Sequence, residues 1–208
     1  MSVSRTFEAI VLKSYDVGEA DRFLVLLTRE LGRITARAPG VRRLKSRMGG
    51  SMLPFQHLTL SCREQGNQRT VTGALARSPR SHRHPMKTFL LEMQVSELLL
   101  SLLHDEESQP EIFDLTLAFL ALPDRADRHV LSFSLRLLHL LGVLPEITNS
   151  CFSPLSSAEC SFVTRSLRQE WPQCETETNN LHQLCTTFVA AHAQRPLRVP
   201  EVSLACQT

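Results

Sequence analysis

The spacing of the apolar residues changes once along this chain, near residue 77, and the sign of the charge changes close by. Up to and including Lys87 the chain holds 16 of its 23 basic residues but only 6 of its 21 acidic ones, so this part carries +10 and the remainder −8 beneath a net charge of +2. Before the change, short apolar runs are separated by turn residues. After it, apolar positions recur three and four apart. A switch of period and charge together reads as a basic β-rich module joined to an acidic α-helical one. Such segregation favours a polyanion, nucleic acid above all, as the partner of the first module. The plainer alternative is that each half solvates its own surface.

The composition sets outer limits. With 208 residues, 42% of them hydrophobic and 21% charged, the chain has material for one large domain or two small ones, and global disorder, collagen and coiled-coil arrays are excluded. The longest apolar run, Leu98–Leu103, falls short of the roughly 18–20 residues that cross a bilayer. The N-terminus lacks the basic-then-apolar layout of a signal peptide, so a cytoplasmic protein with no membrane partner is expected. The six cysteines (Cys62, Cys151, Cys160, Cys174, Cys185 and Cys206) form no Cys-x-x-Cys pair and read as reduced thiols.

Five short strands are predicted in the first part, at 9–12, 23–28, 33–38, 55–62 and 69–75. Turn chemistry at Tyr15-Asp16-Val17-Gly18, Gly32, Pro39-Gly40 and Gly66-Asn67 separates them. This pattern suits a small closed barrel of the oligonucleotide-binding (OB) type, and an SH3-like barrel would look similar. Residues 1–78 are therefore taken as a nucleic-acid-binding barrel domain, 79–85 as a linker and 86–208 as an α-helical domain, an α+β chain in two parts. In the helical part Met86–Leu103 is read as amphipathic, with Phe89, Leu90, Met93, Glu97 and Leu100 on one face. Further helices are expected at 111–122, at 127–141 with Gly142 following its C-cap, at 161–170 and at 179–193.

The richest stretch for chemistry is Gly40–Gly50, where Arg42, Arg43, Lys45 and Arg47 fall within six positions between two predicted strands. A charge run is ordinarily a solvated face. Here Arg33 and Arg37 share one face of the preceding strand, so the two groups together would line a groove and neutralise several phosphates. Stacking residues are scarce: Phe7, Phe23 and Phe55 are assigned to the core, which leaves Tyr15, in a turn, as the one stacking candidate. Backbone contacts should then outweigh base contacts. His82-Arg83-His84 lacks a third ligand and reads as linker, and Asp105-Glu106-Glu107 reads as a solvated helix end. No phosphate-binding Gly-rich loop, Gly-x-Ser-x-Gly or His-Glu-x-x-His is present, and no enzyme is predicted.

Several ordered segments resemble the bacterial RecO recombination-mediator family. They are Glu8–Lys13, Gly18-Glu19-Ala20-Asp21-Arg22, Leu27–Arg33, Ala38–Arg43 and Lys45–Phe55, with a weaker echo at Leu140–Glu146. The resemblance implies an OB-fold followed by a helical domain, in a repair protein that binds single- and double-stranded DNA and anneals complementary strands. It implies RecR and the C-terminal tail of single-stranded DNA-binding protein (SSB) as partners, RecF in some organisms and RecA indirectly. The DNA-binding candidates are Lys13, Arg22, Arg33, Arg37, Arg42, Arg43, Lys45 and Arg47, with Tyr15 for stacking. Many family members bind zinc through two close cysteine pairs, but the corresponding region near 146–175 is degenerate here, with only Cys151 in place, so no cofactor is expected. The alternatives are a generic OB-fold nucleic-acid-binding module without mediator activity and, more remotely, a metal-dependent nuclease.

Overall fold

Alternation of apolar and polar side chains produces the first half of the molecule. In the computed structural model, which describes residues 3–44, 46, 48, 50, 52–66, 68–77, 85–173 and 178–194, five strands appear. They are β1 (Val3–Val17), β2 (Asp21–Thr28), β3 (Gly32–Ala38), β4 (His57–Gln65) and β5 (Gln68–Ala76). They close into a barrel in the order β1-β2-β3-β5-β4, antiparallel throughout except where Arg37 of β3 meets Thr70 of β5 in parallel. The alternation is clearest in β3, where Ile34, Ala36 and Ala38 point inward and Thr35 and Arg37 outward. Phe7, Leu24, Leu26, Met52, Leu58 and Leu60 help fill the interior. This is the five-stranded OB-type barrel expected from the sequence.

The seam between β3 and β5 is reinforced from outside. The segment Leu103–Asp114, which the sequence places with the helices, belongs to the same compact unit as the barrel. Asp105 bridges to Arg33 alongside β3, and the Glu106 amide donates to the Arg33 carbonyl at 2.9 Å. Arg33 donates to Asp105 at 2.7 Å, Arg69 of β5 to Glu106 at 2.8 Å, and Arg29 pairs with Asp114. The three consecutive acids after α1 are exposed, as expected, and two of them also staple the strap to the barrel. Gly32 makes the approach possible: with φ +68°, a Cβ there would lie 1.9 Å from the Glu107 carbonyl oxygen.

The second unit contains α1 (Met86–Leu102), most of α2 (Pro110–Leu120), α3 (Asp127–Leu140), α4 (Ser157–Leu167) and α5 (Asn179–His192). Helix α3 is central and packs on α1, α4 and α5. Leu131, Leu135, Phe162, Val163, Leu181 and Cys185 form one core, and Gly142, at φ +70°, follows the α3 C-cap as expected. In α1 the expected face is buried only in its second half: Glu97 and Leu100 are buried and Phe89 is exposed, while every residue from Val95 to Leu102 is buried whatever its phase. Two polar devices hold this unit. Glu159 closes the capping box of α4 with Ser156 and also accepts from the Leu181 amide at 3.0 Å. Its carboxyl stays below the usual range: burial raises it, but the donors of Ser156, Leu181 and Asn180 together outweigh burial. Arg125 donates to Glu92 at 2.7 Å inside the unit, and to the Phe119 and Leu120 carbonyls. Burial pushes the Cys62 thiol up to about 11 and that of Cys185 to about 12, so neither is a reactive thiolate. Cys174, Cys206, His82, His84 and the tail beyond residue 194 lie outside the described residues.

Candidate nucleic-acid interface

An irregularity in β1 gives the barrel its polar face. Phe7, Ala9 and Val11 point into the core, so strict alternation would send Lys13 and Tyr15 inward as well. Instead the register with β2 slips between Val11 and Lys13: Val11 faces Leu26, and Lys13, two residues on, faces Val25. The extra residue, Leu12, is a β-bulge that reverses the phase of the strand beyond it. Ser14 then faces the core residue Leu24, while Lys13 and Tyr15 turn outward.

Tyr15 is opposite Phe23, and Phe23 is opposite Arg37 on its other side. A row of tyrosine, phenylalanine and arginine therefore crosses three strands, with Tyr15 44% and Phe23 38% exposed and the Arg37 side chain 61% exposed. Lys13 sets its ammonium 5.2 Å from the centre of the Tyr15 ring.

Two aspartates organise the adjoining rim. Asp21 accepts from the Gly40 amide at 2.8 Å and from Arg37 at 2.6 and 2.9 Å. The Gly40 amide and then Arg37 hold its carboxyl below the ordinary range. Asp16 takes Arg22 at 3.0 Å and Arg42 at 3.4 Å, and Arg42 also donates to the Gly18 carbonyl at 2.9 Å. Its backbone amide donates to the Ala20 carbonyl at 2.9 Å, which ties the basic loop to the β1–β2 turn. The side chain of Arg43 lies near Gly40, in an exposed residue. These bonds fix where the guanidiniums sit while leaving their outer edges to solvent, a preorganised set of donors for an anion.

Lys13, Tyr15 and Arg37 thus lie on one outer face, and Arg22, Arg42 and Arg43 on the neighbouring rim. Three predictions need correction. Arg33 shares the outward phase of Arg37, but its side chain is only 13% exposed and binds Asp105, so it serves the strap. Tyr15 lies in a strand rather than a turn, because β1 runs on to Val17. Phe23 is on the surface and not in the core; the signal was present, since Leu24 and Leu26 on the inward phase of β2 put Phe23 outward. Lys45 and Arg47 lie outside the described residues.

Comparison with known proteins agrees with this architecture. The family model described as Recombination protein O N terminal matches residues 1–80, and Recombination protein O C terminal matches residues 93–182. Among curated proteins, the DNA repair protein RecO of Myxococcus xanthus is 34% identical over 149 residues, 69% of this chain and 61% of that protein. RecO of Heliobacterium modesticaldum is 33% identical over 183 residues, 86% of this chain and 64% of that protein. RecO of Syntrophobacter fumaroxidans is 30% identical over 178 residues, 84% of this chain and 67% of that protein. The chain therefore spans between 61% and 67% of the length of these three relatives. Both halves match in the right order, and the chain belongs to the RecO family of DNA repair proteins.

Proposed function

We propose that this protein is a recombination mediator that binds single- and double-stranded DNA and anneals complementary strands. With RecR, and with RecF in some organisms, it would help load RecA onto strands coated with SSB. The observation that carries this reading is the set of guanidiniums from Arg22, Arg37 and Arg42, which Asp16 and Asp21 hold in place beside Lys13 and Tyr15. Arg43, Lys45 and Arg47 would extend the positive surface along the loop after β3. Annealing needs no bond-making residue. It needs phosphate charge neutralised while the pairing edges of the bases stay free, and a surface of fixed cations does that. The acidic helical unit would supply the contacts to RecR and to the SSB tail.

The test is annealing of SSB-coated complementary strands across a salt series. Acceleration should fade with salt, and DNA affinity should fall with a log–log slope of roughly −2 to −5, as about 3–6 phosphate contacts require. Arg42→Glu/Arg43→Glu/Lys45→Glu should abolish the acceleration. If this variant anneals normally, the interface is elsewhere. If the wild-type protein binds DNA without annealing it, the barrel is a generic nucleic-acid-binding module.

A further inference from the structure

We propose that Tyr15 and Phe23 form a two-ring platform on which consecutive unpaired bases stack, so that this face selects single-stranded DNA over duplex. The inference rests on the nucleic-acid reading above and adds what the face recognises.

Most phenylalanines of this chain are buried, and Phe23 has no polar atom that would reward exposure, yet it is 38% exposed beside a 44% exposed tyrosine. The two are directly opposed on neighbouring strands, which sets their Cβ atoms about 4.5–5.5 Å apart. That spacing suits successive bases of one strand. Positive charge flanks both rings, with Lys13 5.2 Å from the Tyr15 ring and Arg37 opposite Phe23. An apolar partner peptide would gain nothing from cations on either side, whereas a nucleotide strand needs rings for its bases and cations for its phosphates. In a duplex the base faces are already stacked on one another and cannot reach the rings. Stacking also engages the faces of the bases and leaves their pairing edges open, so a strand held here remains ready to meet its complement.

The experiment uses the whole chain, a 20-nucleotide oligo-dT strand, and a hairpin duplex with the same number of phosphates. Phe23→Leu and Tyr15→Leu keep an apolar residue on the strand and remove the ring, and thermal melts of both should stay near wild type because the positions are exposed. Each should weaken single-strand binding about 5- to 100-fold. Duplex affinity should stay within about twofold and the salt slope should not change, since no phosphate contact is lost. Phe23→Tyr should retain single-strand affinity. A 2-aminopurine placed in the oligonucleotide should be quenched by wild type and less so by the leucine variants. Equal losses on single strand and duplex, or no loss on either, would overturn the platform. In the same titrations Lys13→Glu/Arg37→Glu should weaken both DNA forms and flatten the salt slope. If the charge variant weakens both while the ring variants do nothing, the platform fails and the nucleic-acid reading stands. If the charge variant also does nothing, that reading fails too.

Discussion

Two regions of this molecule, the outer rim of the barrel and the interior of the helical unit, use arginine in opposite ways. On the barrel, Arg22, Arg37 and Arg42 are paired with aspartates in water, where an ion pair contributes little to stability. In the helical unit, Arg125 and Glu92 have side chains 9% and 1% exposed, and the guanidinium also takes two backbone carbonyls. Burial alone lowers the Arg125 pKa, which reports desolvation of its charge. The difference teaches what each cation is for. A guanidinium held at the surface by one aspartate keeps donors for a passing anion, whereas one enclosed with a glutamate and two carbonyls belongs to the frame.

The largest expected effect breaks this contrast at its buried end. Arg125→Ala breaks the buried pair with Glu92 and leaves the Phe119 and Leu120 carbonyls without their guanidinium donor, so it should cost about 3–5 kcal/mol in urea unfolding followed by Trp171 emission. The surface counterpart, Arg37→Ala, should cost no more than about 1 kcal/mol in urea unfolding followed by Tyr15 emission, while weakening DNA binding. Equal losses of stability would show that the two classes of pair do not differ as described.

A smaller effect tests the strap on the barrel. Gly32→Ala places a Cβ in the space of the Glu107 carbonyl oxygen and forces alanine to φ +68°, so it should destabilise the barrel by about 1–3 kcal/mol or more. Hydrogen exchange at the Glu106 amide, which donates to Arg33, should rise with it. An unchanged exchange rate would mean that the strap is not held there.

The most gradual effect is on acid stability. Burial and then Arg128 lower the pKa of His129 below 6.5, and its Nδ1 accepts the Ala126 amide, which requires an unprotonated nitrogen. Because the folded pKa is depressed, the unfolded chain binds more protons as pH falls below about 6.5. Stability from this ring is complete above that value and is lost below it. In the barrel burial lowers His57, but Glu8 opposes the shift and Arg77 adds to it. The unfolding midpoint reported by Trp171, whose ring meets His129 edge-on at 5.9 Å, should therefore fall from pH 7.5 to 5.5. It should fall by more than the midpoint reported by Tyr15, the only tyrosine.

Much of this architecture was legible because the local signals were unambiguous. The alternation of Ile34, Ala36 and Ala38 gave β3 and its outward arginines, and Gly142 marked the end of α3. The misreadings have separate causes. Ala9 to Leu12 are buried on both faces of β1, so no alternation was available to reveal the bulge or the length of the strand. Asp105 and Glu106 showed no partner because Arg33 and Arg69 are 72 and 37 residues away in sequence. Phe23 was readable from the phase of Leu24 and Leu26, but the prior that phenylalanine is buried outweighed it.

The bulge at Leu12 also makes the proposed interface a matter of register. Were Leu12 paired into the ladder like its neighbours, strict alternation would return, and the side chains from residue 13 to the end of β1 would change sides relative to the core. Lys13 and Tyr15 would enter the barrel, and Ser14 and Asp16 would take their places on the outer surface. Deleting Leu12, by contrast, removes only the extra residue and leaves Lys13 and Tyr15 facing outward. An inventory of lysines and arginines therefore cannot by itself tell whether a sequence of this kind keeps its face.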